Sequence, residues 1–379
     1  MPAMMNGQIL DIAAGGRLTV DLGALAANYR QLARRAAPAR TAAVVKADAY
    51  GLGALKVAPA LEAAGCEDFF VAHLSEALAL RPALRPASRL YVLNGLQPGA
   101  EAACAAAGVT PVLNGLEQAW CWRDLAAALG RPLPAAVQVD SGMSRLGLSP
   151  AEVDRLADEP GFFAHVPAAL VMSHLACSDE PGRASNDDQR RAFHALAGRL
   201  PPAPLSLANS GGVFLGAAFH GDLVRPGVAL YGAAPSIGRP NPMAPAVRLH
   251  ARVIQVREVA AGQGVGYGLT YARDAPGRIA TVAVGYADGW PRSLSNRGAA
   301  FFGGVRLPIA GRVSMDSMTL DVTALARRGA RLGLGDEVEL LGPHQTLEEV
   351  AEQAGTIAYE ILTNLGRRYR RDYLEAPPS

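Results

Sequence analysis

The sequence predicts an α/β fold, a (β/α)8 TIM barrel followed by a mainly β C-terminal domain, and three observations carry that expectation. Eight short apolar, β-branched runs alternate with longer Ala/Leu-rich amphipathic segments between Leu22 and Leu230. A linker-like stretch, Asn241-Pro242-Met243-Ala244-Pro245, comes next. Beyond it the pattern changes to alternating runs punctuated by glycine. Eight strand–helix alternations suit a barrel, whereas a doubly wound sheet usually has fewer. The expected division is 1–240 for the barrel, with a short N-terminal segment free to pair with the β domain, and 241–379 for the β domain.

The candidate barrel strands are Ala43–Lys46, Phe69–Ala72, Leu90–Leu93, Val109–Leu113, Ala136–Val139, Ala169–Ser173, Leu205–Ala208 and Leu223–Arg225. Each is short and rich in residues that favour a buried strand. Helix-like stretches between them include Ala54–Ala64, Leu116–Leu129, Pro150–Ala157 and Asp187–Leu200. In the second domain, Val253–Val259, Ile279–Val284, Val305–Ile309, Met318–Val322 and Val338–Leu341 alternate as half-buried strands do. Leu347–Ala354 and Ala358–Leu365 are helix-like and close the chain.

Composition narrows the function. Half of the residues are hydrophobic and 18% are charged, which suits a globular enzyme and not a disordered chain. The net charge is only +2, and no basic run is interleaved with aromatics, so nucleic acid is not an expected partner. No run approaches the ~20 apolar residues of a membrane span. Met1–Leu10 lacks the basic and apolar regions of a secretory signal. The cysteines Cys66, Cys104, Cys121 and Cys177 form no CxxC pair and read as reduced, mostly buried thiols of a cytoplasmic protein. No GxGxxG or GK[ST] string and no HExxH-like spacing occurs, so neither a nucleotide nor a metal is expected.

The chain's basic residues are nearly all arginine; its only lysines are Lys46 and Lys56. Arginine is a permanent cation, so an amine nucleophile must come from one of those two. Lys56 lies in a helix-like run, where a solvated lysine is ordinary. Lys46 ends an apolar run, and barrels place functional groups where strands end. Read at those positions, the sequence brings Lys46, Leu93, Arg145, His174, Asn209-Ser210-Gly211-Gly212 and Arg225-Pro226-Gly227 to one mouth. Glycines after strands seven and eight allow backbone N–H groups to approach an anion. A lysine beside a phosphate site suggests pyridoxal phosphate (PLP) chemistry. From strand endings alone, a structural lysine beside ordinary turn glycines is an equal reading.

The motif strings decide between the two. Ala43-Val44-Val45-Lys46-Ala47-Asp48-Ala49-Tyr50-Gly51-Leu52-Gly53 closely resembles the PLP-binding signature of the alanine racemase family. The resemblance continues through Val139–Gly147, Ser173–Ala176, Ala208–Ser210 and Val224–Gly227. In the β domain it runs through Gly266–Gly268, Val284–Trp290, Gly311–Asp316 and Ala358–Glu360. Each string is short, but the ordered set is highly specific.

The resemblance implies an isomerase that interconverts L- and D-alanine, for peptidoglycan or for catabolism. It implies that Lys46 carries PLP as a Schiff base and serves as one proton-transfer base, with Tyr267 as the other. A tyrosine base needs cationic neighbours to lower its pKa. Arg225 is implied at the pyridine nitrogen, hydrogen-bonded by His174. Tyr50, Ser210, Gly227 and Tyr359 are implied at the phosphate, with Arg145, Asn209 and Leu93 also on the cofactor side. Arg145, Tyr286, Met315 and Asp316 are implied at the substrate. A head-to-tail homodimer is implied too, with Tyr267, Tyr286, Met315 and Asp316 supplied in trans.

The sequence departs from the family pattern at three places. Gln138 stands where many members carry a carbamylated lysine, Leu52 where a histidine is usual, and Ser314 where cysteine is frequent. None of these removes a base. Competing readings are a broad-specificity racemase of the same fold, a barrel-type PLP decarboxylase and a non-catalytic PLP carrier. Arg225 speaks against the decarboxylase, which places a carboxylate there. The β domain with Tyr267 speaks against the carrier.

Overall fold

The computed structural model describes residues 13–375, so the expectation for Met1–Leu10 lies outside the described residues. Two compact units divide the chain, Ala24–Ala244 and the stretches on either side of it. The strand β1 (Gly16–Asp21) belongs to the second unit.

In the first unit the opening barrel strand is split into β2 (Arg40–Thr41) and β3 (Ala43–Val44). There follow β4 (Asp68–Val71), β5 (Arg89–Val92), β6 (Thr110–Leu113), β7 (Ala135–Gln138), β8 (Ala168–Met172) and β9 (Leu205–Ser206). Each pairs parallel with the one before it, in the order β3-β4-β5-β6-β7-β8-β9. The last strand, β10 (Leu223–Val224), pairs parallel with β2. Backbone bonds close the ring: Arg225 N–H donates to the Ala208 carbonyl at 2.8 Å and Val44 N–H to the Pro226 carbonyl at 3.0 Å. Eight strand positions thus form one closed barrel.

Strands covered on both faces read as continuous apolar runs, because neither face meets water. All four residues of β4 and all four of β7 are buried. Phe69, Phe70, Val92, Val112 and Val137 are fully enclosed, and each such side chain contributes about 1.5–3 kcal/mol. Helices start where local chemistry caps them. Ser149 and Glu152 exchange side-chain and backbone bonds at the start of Pro150–Ala157, leaving fewer orphan N–H groups. The helix expected over Asp187–Leu200 runs instead over Ala184–Ala197. Its first turn is anchored by buried Asn186, whose side-chain amide donates to the Glu180 carbonyl at 3.1 Å.

The second unit is a mainly β body made of β1, β11 (Val247–Val259), β12 (Gly277–Val282), β13 (Ala299–Phe302), β14 (Val305–Pro308), β15 (Met318–Asp321), β16 (Glu337–Leu341) and β17 (Arg370–Leu374). Its main path is β14-β13-β16-β11-β1-β17, and β12 joins β11 to β15. Val247, Leu249, Ala251 and Val253 are buried in alternation along β11, the period of a half-buried strand. β1 lies antiparallel to β11 and parallel to β17. Sequence patterning marks neither β13 nor β17.

No described helix is long and apolar enough to cross a membrane. The described cysteines are all free. Cys66 and Cys104 are buried, Cys177 is partly buried and Cys121 is exposed, so the thiols are less uniformly buried than expected.

Candidate active site

The first strand does not reach Lys46. It ends at Val44, and Lys46 opens a turn in which Ala47, Asp48, Ala49 and Tyr50 have φ of 53°, 54°, 54° and 56°. Each of these residues has a Cβ that clashes in the left-handed region, at a cost of roughly 1–2 kcal/mol apiece. Several contacts hold the turn. Ala47 N–H donates to Glu76 Oε1 at 2.5 Å, and Asp48 Oδ1 accepts from Ala54 N–H at 2.7 Å. Gly51, at φ 82°, closes it with an N–H to the Ala47 carbonyl at 2.7 Å. Lys46 is partly buried. Burial and then Arg145 push its ammonium below the usual lysine range, while Glu76 acts the other way. Lys56 is exposed on the helix Ala54–Ala63.

The loops after β9 and β10 form a small-residue cradle. Ser210 Oγ accepts from Gly227 N–H at 2.9 Å and from Ala229 N–H at 3.2 Å. With both acceptor positions taken, its O–H is what it can offer an anion. Asn209 Oδ1 caps the turn Ser210–Leu215 by accepting from Gly212 N–H at 3.0 Å. Buried Gly211 leaves no room for a Cβ, which would lie 2.5 Å from the Ser178 carbonyl oxygen.

Arg225 is buried beside this cradle. Its guanidinium donates to the Ser173 carbonyl at 2.6 Å and to Ser206 Oγ. Burial pulls Arg225 down to about 9, so it is still a cation at neutral pH. His174 meets it through charge. Burial first, then Arg225, Arg145 and Lys46, drive its imidazole down to about 3. The backbone there is clamped by Gln189, which donates to the His174 carbonyl at 3.0 Å and accepts from Ala176 N–H at 2.8 Å.

Arg145 is exposed on the loop after β7. Asp140 Oδ1 shapes that loop by accepting from the N–H groups of Gly142, Met143 and Ser144 at 2.9, 2.9 and 3.1 Å. Gln138 is buried at the end of β7 and makes no bond to Arg145 among the described residues. Leu93 follows β5, its carbonyl accepting from Asn114 Nδ2 at 2.9 Å.

The other expected residues lie in the β unit. Tyr267 is 71% exposed, near the tip of a loop closed by the Val265–Tyr271 bridge. Val265 packs with Val259, Ile279 and Ala310 under that loop, and Tyr271 O–H donates to Asp321 at 2.6 Å. Tyr286 and Met315 are joined through the backbone, since Tyr286 N–H donates to Ser314 and Ala287 N–H to Met315, both at 2.9 Å. Arg368 links this corner to Asp316 at 2.6 Å and to buried Asp288 at 2.7 and 2.8 Å. Tyr286 also borders a cleft of about 570 Å³ with Trp290, Arg292, Thr356 and Glu360. Tyr359 is half-exposed on the short helix Ala358–Asn364.

Sequence reasoning missed Glu76, Ser206, Gln189 and Arg368. Glu76 stands three residues after the N-cap, where a glutamate often caps, but His73 at the N-cap makes no side-chain bond and gives the pair no legible signature. The others act on backbone or side chains far away in sequence, which no local pattern reveals.

Fold and site together define a barrel protein with a partly buried lysine, a buried arginine and a small-residue cradle beside the ends of its strands. A family model for the alanine racemase N-terminal domain matches residues 20–235, and one for the C-terminal domain matches 246–373. An alanine racemase of Brucella canis is 58% identical over 377 residues, covering 96% of this chain and 95% of that one. A catabolic alanine racemase of Agrobacterium fabrum is 58% identical over 362 residues, covering 96% and 93%. The solved alanine racemase of Bartonella henselae, with covalently bound pyridoxal phosphate, is 45% identical with a TM-score of 0.92, covering 95% and 100%. The chain belongs to the alanine racemase family.

Proposed function

We propose that in this PLP-dependent alanine racemase Lys46 and Tyr267 are the two proton-transfer bases, one for each enantiomer of alanine. The observation that carries the reading is Lys46 itself, a partly buried lysine whose amine is eased toward its neutral form at the barrel mouth. A base must shed its proton near working pH, and burial beside Arg145 favours that.

The residues present fit the cofactor. Ser210 offers a hydroxyl and the glycine loops offer bare backbone to a phosphate, while Tyr50 borders Gly227 in the same cradle. Asn209 shapes that cradle, and Leu93 and Arg145 line the cofactor side; Tyr359 completes the phosphate set in the proposal. When bound, PLP supplies the electron-withdrawing ring that makes an amino acid's α-hydrogen acidic. Arg225 is assigned to the pyridine nitrogen, where a fixed cation cannot accept a proton and so limits the ring's electron demand. His174, kept neutral, adds no second positive charge beside it. Lys46 Nζ takes the α-proton of D-alanine and Tyr267 Oη that of L-alanine, each acting as donor in the reverse direction. Arg145, Tyr286, Met315 and Asp316 are assigned to substrate.

A head-to-tail homodimer is part of the reading, with Tyr267, Tyr286, Met315 and Asp316 serving the partner subunit's barrel. The high exposure of Tyr267 and Met315 supports it. So is a cytoplasmic location. Relatives of equal identity carry both the plain and the catabolic name, and the proposal accordingly includes D-alanine supply for peptidoglycan and D-alanine breakdown.

The test is borohydride reduction of the purified protein, then peptide mapping. The expected result is a visible absorption band that reduction abolishes, with the cofactor fixed to Lys46. A label on Lys56, or no bound cofactor, overturns the reading.

A further inference from the structure

We propose that Glu76 is a positioning residue for Lys46, its carboxylate holding the left-handed turn from which the lysine projects. The proposal rests on the assignment of Lys46 as the cofactor lysine.

Glu76 lies in the first turn of the helix Leu74–Leu80. One of its oxygens, Oε2, accepts from Ala72 N–H at 2.8 Å and His73 N–H at 3.0 Å. Those two bonds are ordinary helix capping. The other oxygen, Oε1, does something capping does not require. It accepts at 2.5 Å from the N–H of Ala47, the residue next to Lys46 and 29 positions away in the chain. The carboxylate therefore ties the end of strand β4 to the residue after Lys46.

The turn needs such a tie. Four successive residues with side chains hold left-handed backbone angles, a conformation that persists only where its surroundings over-determine it. Asp48 secures the far end through Ala54, and Glu76 secures the near end. A slack near end would let Lys46 wander, and catalytic groups must be held closely to act.

Charge gives the same residue a second effect. Arg145 from the loop after β7, His174 from the loop after β8 and Glu76 are the groups that act electrostatically on or with Lys46. Glu76 alone among them is acidic. Making it neutral lets the Lys46 amine lose its proton at lower pH.

The test compares Glu76→Gln, Glu76→Asp and the double variant Glu76→Gln/Ala47→Gly with the unsubstituted full chain. Two quantities are read besides activity. One is retention of PLP, by dialysis and absorbance titration. The other is the pH dependence of acylation at Lys46 after PLP is removed with hydroxylamine, with exposed Lys56 as internal reference. Glu76→Gln is expected to weaken PLP retention about tenfold or more, the scale of losing a charged hydrogen bond. It also moves Lys46 reactivity to lower pH. Glu76→Asp keeps the charge, so retention falls while the Lys46 profile stays near that of the parent. Glycine adopts left-handed angles freely, so adding Ala47→Gly restores part of the retention and leaves the pH shift in place. Wild-type retention and profile in Glu76→Gln, or no recovery in the double variant, overturns the proposal. A merely structural role lowers Tm without moving the Lys46 profile relative to Lys56, and that outcome overturns it too. A borohydride label on Lys56 in the unsubstituted protein removes the assignment of Lys46 and the proposal together, a failure distinct from the others.

Discussion

The hydroxyl of Tyr50 fills the space that a Cβ on Gly227 needs. Tyr50 comes from the left-handed turn after Lys46, and its ring leans on Tyr231 with centroids 4.6 Å apart. Gly227 comes from the loop after β10 and donates to Ser210. Two loops of the barrel mouth therefore share one volume, and glycine is what permits it.

Gly227→Ala is expected to displace the Tyr50 phenol and weaken PLP binding. Overpacking a close contact typically costs about 1–3 kcal/mol, or roughly fivefold to 150-fold in affinity. Residues in contact do not behave additively. Tyr50→Phe in the Gly227→Ala background should therefore cost less than the two single changes added together. Absorbance titration of the three variants checks this, and strict additivity contradicts it.

His174 predicts a pH dependence of stability. In the folded protein its imidazole titrates at about 3, against an ordinary value of 6.5. Between those values the unfolded chain binds a proton that the folded one refuses. Stability contributed by the neutral ring is therefore full above pH 6.5 and lost progressively as pH falls toward about 3. His174→Gln should flatten that part of the Tm-versus-pH curve. An unchanged slope between pH 6.5 and the acid limit refutes the assignment.

Subunit cooperation is checked by mixing. Lys46→Ala and Tyr267→Phe proteins are each expected to be crippled. If the bases of one site come from two chains, a mixed dimer has one site with both defects and one with neither. Random exchange of equal amounts then returns about a quarter of the parental sites. No recovery after demonstrated exchange shows that both bases come from one chain.

Tyr267→Ala should separate exchange from racemisation. Lys46 remains able to trade the α-hydrogen of D-alanine for solvent deuterium, while abstraction from L-alanine falls by ~10²–10⁴-fold. Racemisation fails in both directions, because the second donor is gone. Equal loss of exchange from both enantiomers, with PLP still bound, contradicts the assignment of one base per enantiomer.

Much of the fold and the site is legible in the amino-acid sequence, for a physical reason visible at particular residues. Phe69-Phe70-Val71 and Ala135-Ala136-Val137 read as buried strands because a strand enclosed on both faces must be apolar along its length. Lys46 stands out because the chain has one other lysine. The strand's true end is not legible. Val44 and Val45 suit a strand equally well, and what stops pairing is a turn made of alanines, aspartate and tyrosine, a run without the glycine or proline that marks most turns. The parallel pairing of β1 with β17 is equally hidden, since the partners lie at opposite ends of the chain.

The barrel-then-β order of the chain, the approximate ends of its strands and the presence of a lysine, an arginine and small residues near those ends all follow from the sequence alone. These are local properties, set by periodicity and residue chemistry over a few neighbours. Three further relationships exist only in the folded chain: β10 closes on the split first strand, Glu76 reaches Ala47, and Arg225 bonds to Ser173 and Ser206. Those are bonds between residues far apart in the chain, and a donor's partner is fixed by where the folded backbone brings an acceptor, not by the donor's neighbours in sequence.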